Sequence, residues 1–392
     1  MNAPEAKAPF VAIACGGTGG HLFPGLAIAE ELKKHGCTVA LLVSPKDVDQ
    51  QAVKSANGME IFTLPAVGLQ NRNYFSFAKS FWQSWRAAQK IFQSRPPQAV
   101  LAMGGFTSAP PILARNAFGA KTFLHESNTI PGKANRFLAR FVDAAFVGFP
   151  QAGSRLKARK ISVTGTPVRP QFQPRDTAEC RIAIGLEANL QTILVVGGSQ
   201  GASGLNEMIL SALPLLAEKS WQFLHLTGAN DFEKVKAAYA AKKLKAVVKP
   251  FLAEMDMALG AATACVSRSG ASSLAEIAAM RLPSLLVPFP AAADNHQFVN
   301  ASAFEKTGAA KLLEQKNSTP EKVAAILVEL VESETLRSTM QPALAQWHAP
   351  KAAEQIAENI LSAIAQQQEK ATQSKVKKCG CDHAHGSAKH AH

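Results

Sequence analysis

The sequence predicts an α/β protein built as two Rossmann-like, doubly wound parallel-sheet domains that face each other across a cleft. Three observations predict it. Apolar β-rich runs alternate with helical patterns along the chain. A strand, a GGxxG turn and a helix recur as a unit at Gly16–Gly20 and again at Gly197–Gly201. The pattern breaks at Gly165-Thr166-Pro167-Val168-Arg169-Pro170 and then restarts. Strands alternating with helices imply parallel pairing with helices on both faces of each sheet. Two prolines within four residues cannot continue a helix or a central strand. A chain of 392 residues is long enough for two cores.

The elements follow in order. Phe10–Ala14 is an apolar run, Gly16–Gly20 the turn, and residues 25–35 carry helical spacing through Leu26, Ala29 and Leu32 before Gly36 ends it. Thr38–Val43 is a second strand. Ala99–Met103 precedes Gly104-Gly105, Thr122–His125 precedes the loop 127–132, and Ala144–Val147 follows a helix at 133–140. After the break come a strand at 192–196 and a helix at 205–216. Further strands are expected at 222–226, 246–249, 264–267 and 284–287. Ala352–Ala365 is the last helix. Residues 366–392 are polar and read as a disordered tail.

Composition narrows the class. Hydrophobic residues make up 47% and charged residues 18%, an ordinary globular balance. No apolar run is long enough to cross a bilayer, and the N-terminus does not read as a signal peptide. The expectation is a cytoplasmic protein, free or attached peripherally. Cys15, Cys37, Cys180 and Cys265 are scattered and read as buried free thiols. The net charge of +13 is uneven: residues 1–165 hold 19 Lys/Arg against 8 Asp/Glu, whereas residues 166–365 hold 18 against 19. A basic first half suits an anionic partner, either a lipid leaflet or nucleic acid. No nucleic-acid motif is present, so the lipid surface is favoured. The tail carries Cys379, Cys381, His383, His385, His390 and His392. This C-x-C-x-H-x-H run can bind a soft metal, but its spacing is not that of a structural zinc fold. No metal site and no cofactor are assigned.

Five motifs carry candidate chemistry. Gly16-Gly17-Thr18-Gly19-Gly20-His21 places a glycine-rich turn before a helix N-terminus, which can hold a diphosphate or an oxyanion. It lacks both the dinucleotide G-x-G-x-x-G pattern and the P-loop lysine, which disfavours NAD, FAD and ATP. His21, on the ligand-binding edge of a parallel sheet, is a candidate general base. Gly197-Gly198-Ser199-Gln200-Gly201 repeats the turn, and Ser199 can reach a phosphate. In Ser267–Glu276, Arg268 can pair with a diphosphate, and Glu276 either accepts from ribose hydroxyls or is a helix N-terminal charge. Asp294-Asn295-His296-Gln297 suits sugar hydroxyls or a helix N-cap. Finally, Phe75, Phe77, Phe81, Trp82, Trp85 and Phe92 alternate with Arg72, Lys79, Arg86 and Lys90. They form either a core stripe or an interfacial helix.

In this order the motifs resemble the MurG family, the undecaprenyl-diphospho-muramoylpentapeptide β-N-acetylglucosaminyltransferases of peptidoglycan synthesis. The likeness runs through GGTGGHLFPGLAIAEEL at 16–32, MGGFTSAP at 103–110, HESN at 125–128 and GTPVR at 165–169. It continues through GGSQGA at 197–202, SRSGASSLAE at 267–276 and DNHQ at 294–297. It implies the GT-B architecture, with an acceptor- and membrane-facing domain over 1–166 and a UDP-GlcNAc domain over 167–345. A helix at 346–365 would return to the first domain, and the tail 366–392 lies outside the family pattern. It implies that Thr18, Gly19, Gly20, Asn128, Arg169, Ser199, Leu252, Glu276 and Gln297 line the donor site, with Ala271, Ser272, Ser273, Leu274 and Ala275 beside Glu276. The implied reaction is inverting transfer of N-acetylglucosamine from UDP to the 4-hydroxyl of a polyprenyl-diphosphate-linked muramoylpentapeptide, at the cytoplasmic face of the membrane and without an obligatory metal. Ser127 and Phe106 stand where Gln and Tyr are common in the family. A UDP-N-acetylglucosamine 2-epimerase and a non-enzymatic nucleotide-binding protein are the alternatives on the same fold.

Overall fold

The computed structural model describes residues 8–17, 19–46, 49–50, 58–68, 73–115, 118–198 and 201–382. Thr18, Arg72, Ser199, Gln200 and the four tail histidines lie outside the described residues, as do the side chains of Cys379 and Cys381.

The first sheet contains seven parallel strands: β1 (Phe10–Ala14), β2 (Thr38–Val43), β3 (Glu60–Thr63), β4 (Ala99–Ala102), β5 (Lys121–Glu126), β6 (Ala144–Val147) and β7 (Ile161–Val163). Their spatial order is β3-β2-β1-β4-β5-β6-β7. The second sheet contains β8 (Gln191–Val196), β9 (Trp221–Leu226), β10 (Lys245–Lys249), β11 (Ala264–Ser267), β12 (Ser284–Leu286) and β13 (Lys311–Leu312), ordered β10-β9-β8-β11-β12-β13. Every pairing in both sheets is parallel. The short strands β3, β7 and β13 were not anticipated. They sit at sheet edges and carry too few apolar residues to stand out.

The central strands are buried on both faces, and residue alternation divides each between two cores. Val11 and Ile13 enter the core that also holds Leu22, Ile28 and Leu32 of α1 (Gly19–Lys34). Ala12 and Ala14 enter the core beneath α2 (Tyr74–Ser94) and α3 (Ala109–Ala114). In the second domain Leu194 and Val196 of β8 face α9 (Met255–Ala261) and α10 (Ala271–Ala279), after the short helices α4 (Lys133–Leu138), α5 (Pro150–Gly153) and α6 (Thr177–Ala183). Ile193 and Val195 face α7 (Ser203–Leu216), α8 (Phe232–Ala241) and α12 (Pro320–Glu332). Between them in sequence lies α11 (His296–Lys306), and α13 (Glu334–Trp347) leads to α14 (Ala352–Asp382).

Helix α14 sends Ile356, Ala357, Ile360 and Ile364 into the first domain's core, beside Val11 and Ile13. The helix does not stop at residue 365. It continues to Asp382, so residues 366–382, read from their composition as disordered, are helical. Their run of Gln, Glu, Lys and Ala favours helix and contains no breaker before Gly380. Cys15, Cys37, Cys180 and Cys265 are all buried free thiols, as their apolar settings imply.

Helix α2 divides the aromatic segment between core and surface. Its fully buried positions are Ser80, Ser84, Ala88 and Phe92, a stripe of mostly small side chains that lets the helix lie close to the sheet. Phe77, Phe81 and Trp85 are half-buried. Phe75 is 84% exposed and Trp82 53%, on the outer side with Lys79, Arg86 and Lys90. The helix thus serves both: Phe92 and the small side chains meet the core, while Phe75 and Trp82 face solvent.

Candidate active site

In an open parallel sheet, ligands bind at the carboxyl ends of the strands where strand order reverses. In the first sheet that point lies between β1 and β4, and in the second between β8 and β11. The first reversal carries the turn at Gly16–Gly17 and the Met103–Ser108 loop. The second carries the Gly197-Gly198 turn and the segment Arg268–Gly270.

The glycine-rich turn is held from beneath. Asp49, fully buried, accepts from the Gly17 N–H at 2.6 Å and from the Ser44 hydroxyl at 2.5 Å. Thr107 donates its hydroxyl to the Gly16 carbonyl at 2.7 Å. Helix α1 then begins at Gly19, six residues earlier than its apolar spacing indicates. His21 is therefore on its first turn rather than on a free loop.

The His21 ring lies flat against Gly104 and Gly105. A Cβ on Gly104 would stand 2.8 Å from Cε1 of the ring, so this approach needs glycine. Burial lowers the pKa of His21 and nearby His296 adds to the effect. Glu126, a hydrogen bond to the Met103 carbonyl and Asp49 oppose it. The ring is thus neutral at neutral pH, and one nitrogen is free to accept a proton.

Glu126 organises the loop after β5. Its Oε1 accepts from the Asn128 N–H at 2.8 Å and from Asn128 Nδ2 at 3.1 Å, while Oε2 accepts from Gly132 at 2.9 Å and Asn135 at 2.9 Å. His125, kept neutral by burial, bridges the Gly165 carbonyl at 3.0 Å and the Ser127 hydroxyl at 3.2 Å.

On the second domain, Ala271, Ser272, Ser273, Leu274 and Ala275 form the first turns of α10, with Ala271 and Leu274 turned into the core. Ser272 donates to the Gly20 carbonyl across the cleft at 2.9 Å. Glu276 is half-buried. Burial pushes its pKa up to about 7, Arg169 opposing and Asp256 adding to the rise. The Arg169 guanidinium lies 4.6 Å over Phe23 of the first domain and 5.1 Å over Phe172. Its Nε has no partner among the described residues. Leu252 is buried in the second domain's core.

Arg268 is occupied differently from the sequence expectation. Its Nη1 donates to the carbonyls of Val287 at 3.1 Å and Pro288 at 3.0 Å, and Nη2 donates to Gln315 at 2.7 Å. The side chain braces the cleft floor. Three of its five N–H donors are thus engaged, and the buried Nε has no partner among the described residues. Gln297 accepts from the Phe289 N–H at 2.9 Å, and its own carbonyl receives the Ser269 hydroxyl at 2.8 Å. Asp294 and Asn295 before it have φ of 51° and 54°, a conformation that costs non-glycine residues energy and is concentrated at functional sites. Asp294 also pairs with Arg136 of the first domain at 2.7 Å.

Sequence reading did not single out Asp49, Thr107, Asn135, Asn300 or Gln315. Each is a polar residue isolated within a loop or helix, and only long-range contacts reveal its partners.

Two Rossmann-like domains with loops at both reversal points define the GT-B fold class. The glycosyltransferase family 28 N-terminal domain matches residues 11–147 and the family 28 C-terminal domain residues 192–376. A UDP-N-acetylglucosamine–N-acetylmuramyl-(pentapeptide) pyrophosphoryl-undecaprenol N-acetylglucosamine transferase of Anaeromyxobacter sp. strain K is 36% identical, covering 90% of this chain and 92% of the relative. The transferase of that name from Natranaerobius thermophilus is 32% identical, covering 90% and 100%. The crystal structure of Acinetobacter baumannii MurG aligns with a TM-score of 0.71 at 27% identity, covering 91% and 99%. A UDP-N-acetylglucosamine 2-epimerase structure shares the fold at TM-score 0.66 with 15% identity. The chain belongs to glycosyltransferase family 28, within its MurG group.

Proposed function

We propose that this enzyme transfers N-acetylglucosamine from UDP-N-acetylglucosamine to the 4-hydroxyl of the muramoyl sugar on a polyprenyl-diphosphate-linked muramoylpentapeptide, with inversion. The observation that carries this reading is the 36% identity, sustained across both domains, to transferases of that name. His21, neutral and poised between Met103 and the cleft, takes the proton from the acceptor hydroxyl. Backbone N–H groups at the start of α10 and at the two glycine-rich turns stabilise the departing diphosphate. Glu276 accepts from the ribose hydroxyls, Gln297 and Asn128 meet the sugar, and backbone groups beside Leu252 read the base. Thr18 and Ser199 belong to the same donor site by their place in the matching motifs.

The acceptor is a lipid, and α2 supplies a means of approaching it. Exposed Phe75 and Trp82 beside Lys79, Arg86 and Lys90 suit insertion into an anionic leaflet. No described helix is long and apolar enough to cross a membrane.

The test is transfer of radiolabelled N-acetylglucosamine from UDP to a short-chain muramoylpentapeptide lipid analogue, with and without EDTA. Label in the lipid is the expected result. Donor turnover without acceptor, or binding without transfer, overturns the assignment. Charge reversal at Lys79, Arg86 and Lys90 is expected to release the protein from anionic vesicles while leaving turnover of a soluble acceptor analogue intact. Unchanged vesicle binding overturns the membrane role.

A further inference from the structure

Asn300 lies on the second turn of α11 in the donor domain and is fully buried. Its Oδ1 accepts from the Thr129 N–H at 3.0 Å and from the Thr129 hydroxyl at 2.8 Å. Its Nδ2 donates to Asn128 Oδ1 at 3.1 Å and to the Ser269 carbonyl at 3.1 Å. One side-chain amide thus joins the first domain's loop after β5 to the second domain's loop after β11.

The orientation of this amide is forced. The Thr129 N–H can only donate and the Ser269 carbonyl can only accept, so Oδ1 and Nδ2 cannot exchange places. Asn128 must then present its oxygen to Asn300, which leaves its nitrogen for Glu126. A chain of single-valued choices runs from Ser269 through Asn300 and Asn128 to Glu126, the carboxylate that acts electrostatically on His21.

Among the described residues two other hydrogen-bonded contacts cross the same cleft, and both are weaker. The Arg136–Asp294 pair is 42% exposed on each side, where an ion pair contributes little. The Ser272–Gly20 hydrogen bond is also at the exposed rim. Buried polar networks have the larger effect, because breaking one member leaves its partners unsatisfied.

We propose that Asn300 is a positioning residue that clasps the two domains in the transfer-competent arrangement and fixes the Asn128 amide. This rests on the transferase reading above. Donor binding to the second domain does not require the clasp, whereas transfer does.

The discriminating variant is Asn300→Asp, nearly the same shape. It keeps the acceptor for Thr129 but turns a carboxylate toward Asn128 Oδ1 and the Ser269 carbonyl. UDP affinity by calorimetry is expected to stay within about threefold, while kcat for transfer falls roughly 5- to 150-fold, the range for coupling through a buried hydrogen-bond network. Small-angle scattering is expected to show a larger radius of gyration. A double-mutant cycle with Asn128→Ala is expected to be strongly non-additive. If Asn300→Asp does not fold, Thr129→Val, which removes one of the four hydrogen bonds, is expected to lower kcat by a smaller factor with UDP affinity kept.

Unchanged kcat, an equal loss of UDP affinity or additive cycle energies overturn the proposal. If the unmodified enzyme shows no transfer, the functional reading fails. The clasp is then judged by scattering alone: expansion of the variant supports it and an unchanged radius overturns it.

Discussion

Ser272 donates its hydroxyl to the carbonyl of Gly20, joining the first turn of α10 to the first turn of α1 across the cleft. That carbonyl is available because residue 24, four positions on in α1, is proline and has no N–H to give it. A residue that disfavours a helix interior thus leaves a carbonyl open at the domain interface. Ser272→Ala is expected to change global stability by no more than about 1 kcal/mol, as for one exposed hydrogen bond. Transfer kcat/KM should drop up to about fivefold by the same magnitude. Pro24→Ala supplies the missing N–H and competes for Gly20, so it is expected to raise the thermal midpoint while lowering kcat. Thermal and urea melts paired with steady-state kinetics test both.

His21→Ala is expected to lower kcat by about 10²- to 10⁴-fold, the usual contribution of a positioned base. UDP affinity should be nearly unchanged. The sign of the pH effect follows from the lowered pKa. The ring stays neutral, and able to accept a proton, to a pH below the ordinary histidine range. The acid limb of the kcat profile should therefore fall below about pH 6.5. A limb at or above that value removes the base assignment.

Glu276 predicts a pH dependence of the opposite kind. Its pKa is pushed up to about 7, so keeping it ionised disfavours the folded state. Stability is expected to decline as pH rises from the ordinary carboxylate range toward about 7, and Glu276→Gln should flatten that slope. On the proposed role of Glu276 as acceptor for the ribose hydroxyls, donor binding should show the reverse trend, weakening below about 7 as the carboxylate becomes protonated. Glu276→Ala should raise donor KM with a smaller effect on kcat. Calorimetry of UDP binding across pH distinguishes these outcomes.

Gly25 lets α1 lie against the sheet. A Cβ there would come within 2.7 Å of Cys15 Cβ and 3.3 Å of Met103 Cγ. Gly25→Ala is expected to destabilise by about 1–3 kcal/mol, as overpacking does, despite the better helix propensity of alanine. The urea midpoint should shift with the slope unchanged. An equal or higher midpoint would show that α1 can move away without cost.

Much of the site was legible in the sequence for a local reason. Gly16–Gly20, His21, Ser267–Glu276 and Asp294–Gln297 are contiguous motifs, and a parallel α/β alternation places all such turns on one edge of each sheet. Arg268 lies in the loop the sequence indicated, but its contacts with the Val287 and Pro288 carbonyls and Gln315 were not legible, because those residues are distant in sequence. The outward face of Phe75 and Trp82 was equally hidden. Helical spacing groups side chains by angle and does not say which angle meets the sheet.

The sequence by itself determined the two-domain α/β plan, its break near Gly165 and the glycine-rich turns at the strand ends, since these depend on local backbone freedom and on the period of apolar residues. The tertiary structure alone decided how those turns are held. Asp49 under Gly17 and Asn300 between the domains each satisfy buried polar groups far along the chain. A buried donor or acceptor must find a partner wherever the fold brings one, and sequence separation carries no record of that choice.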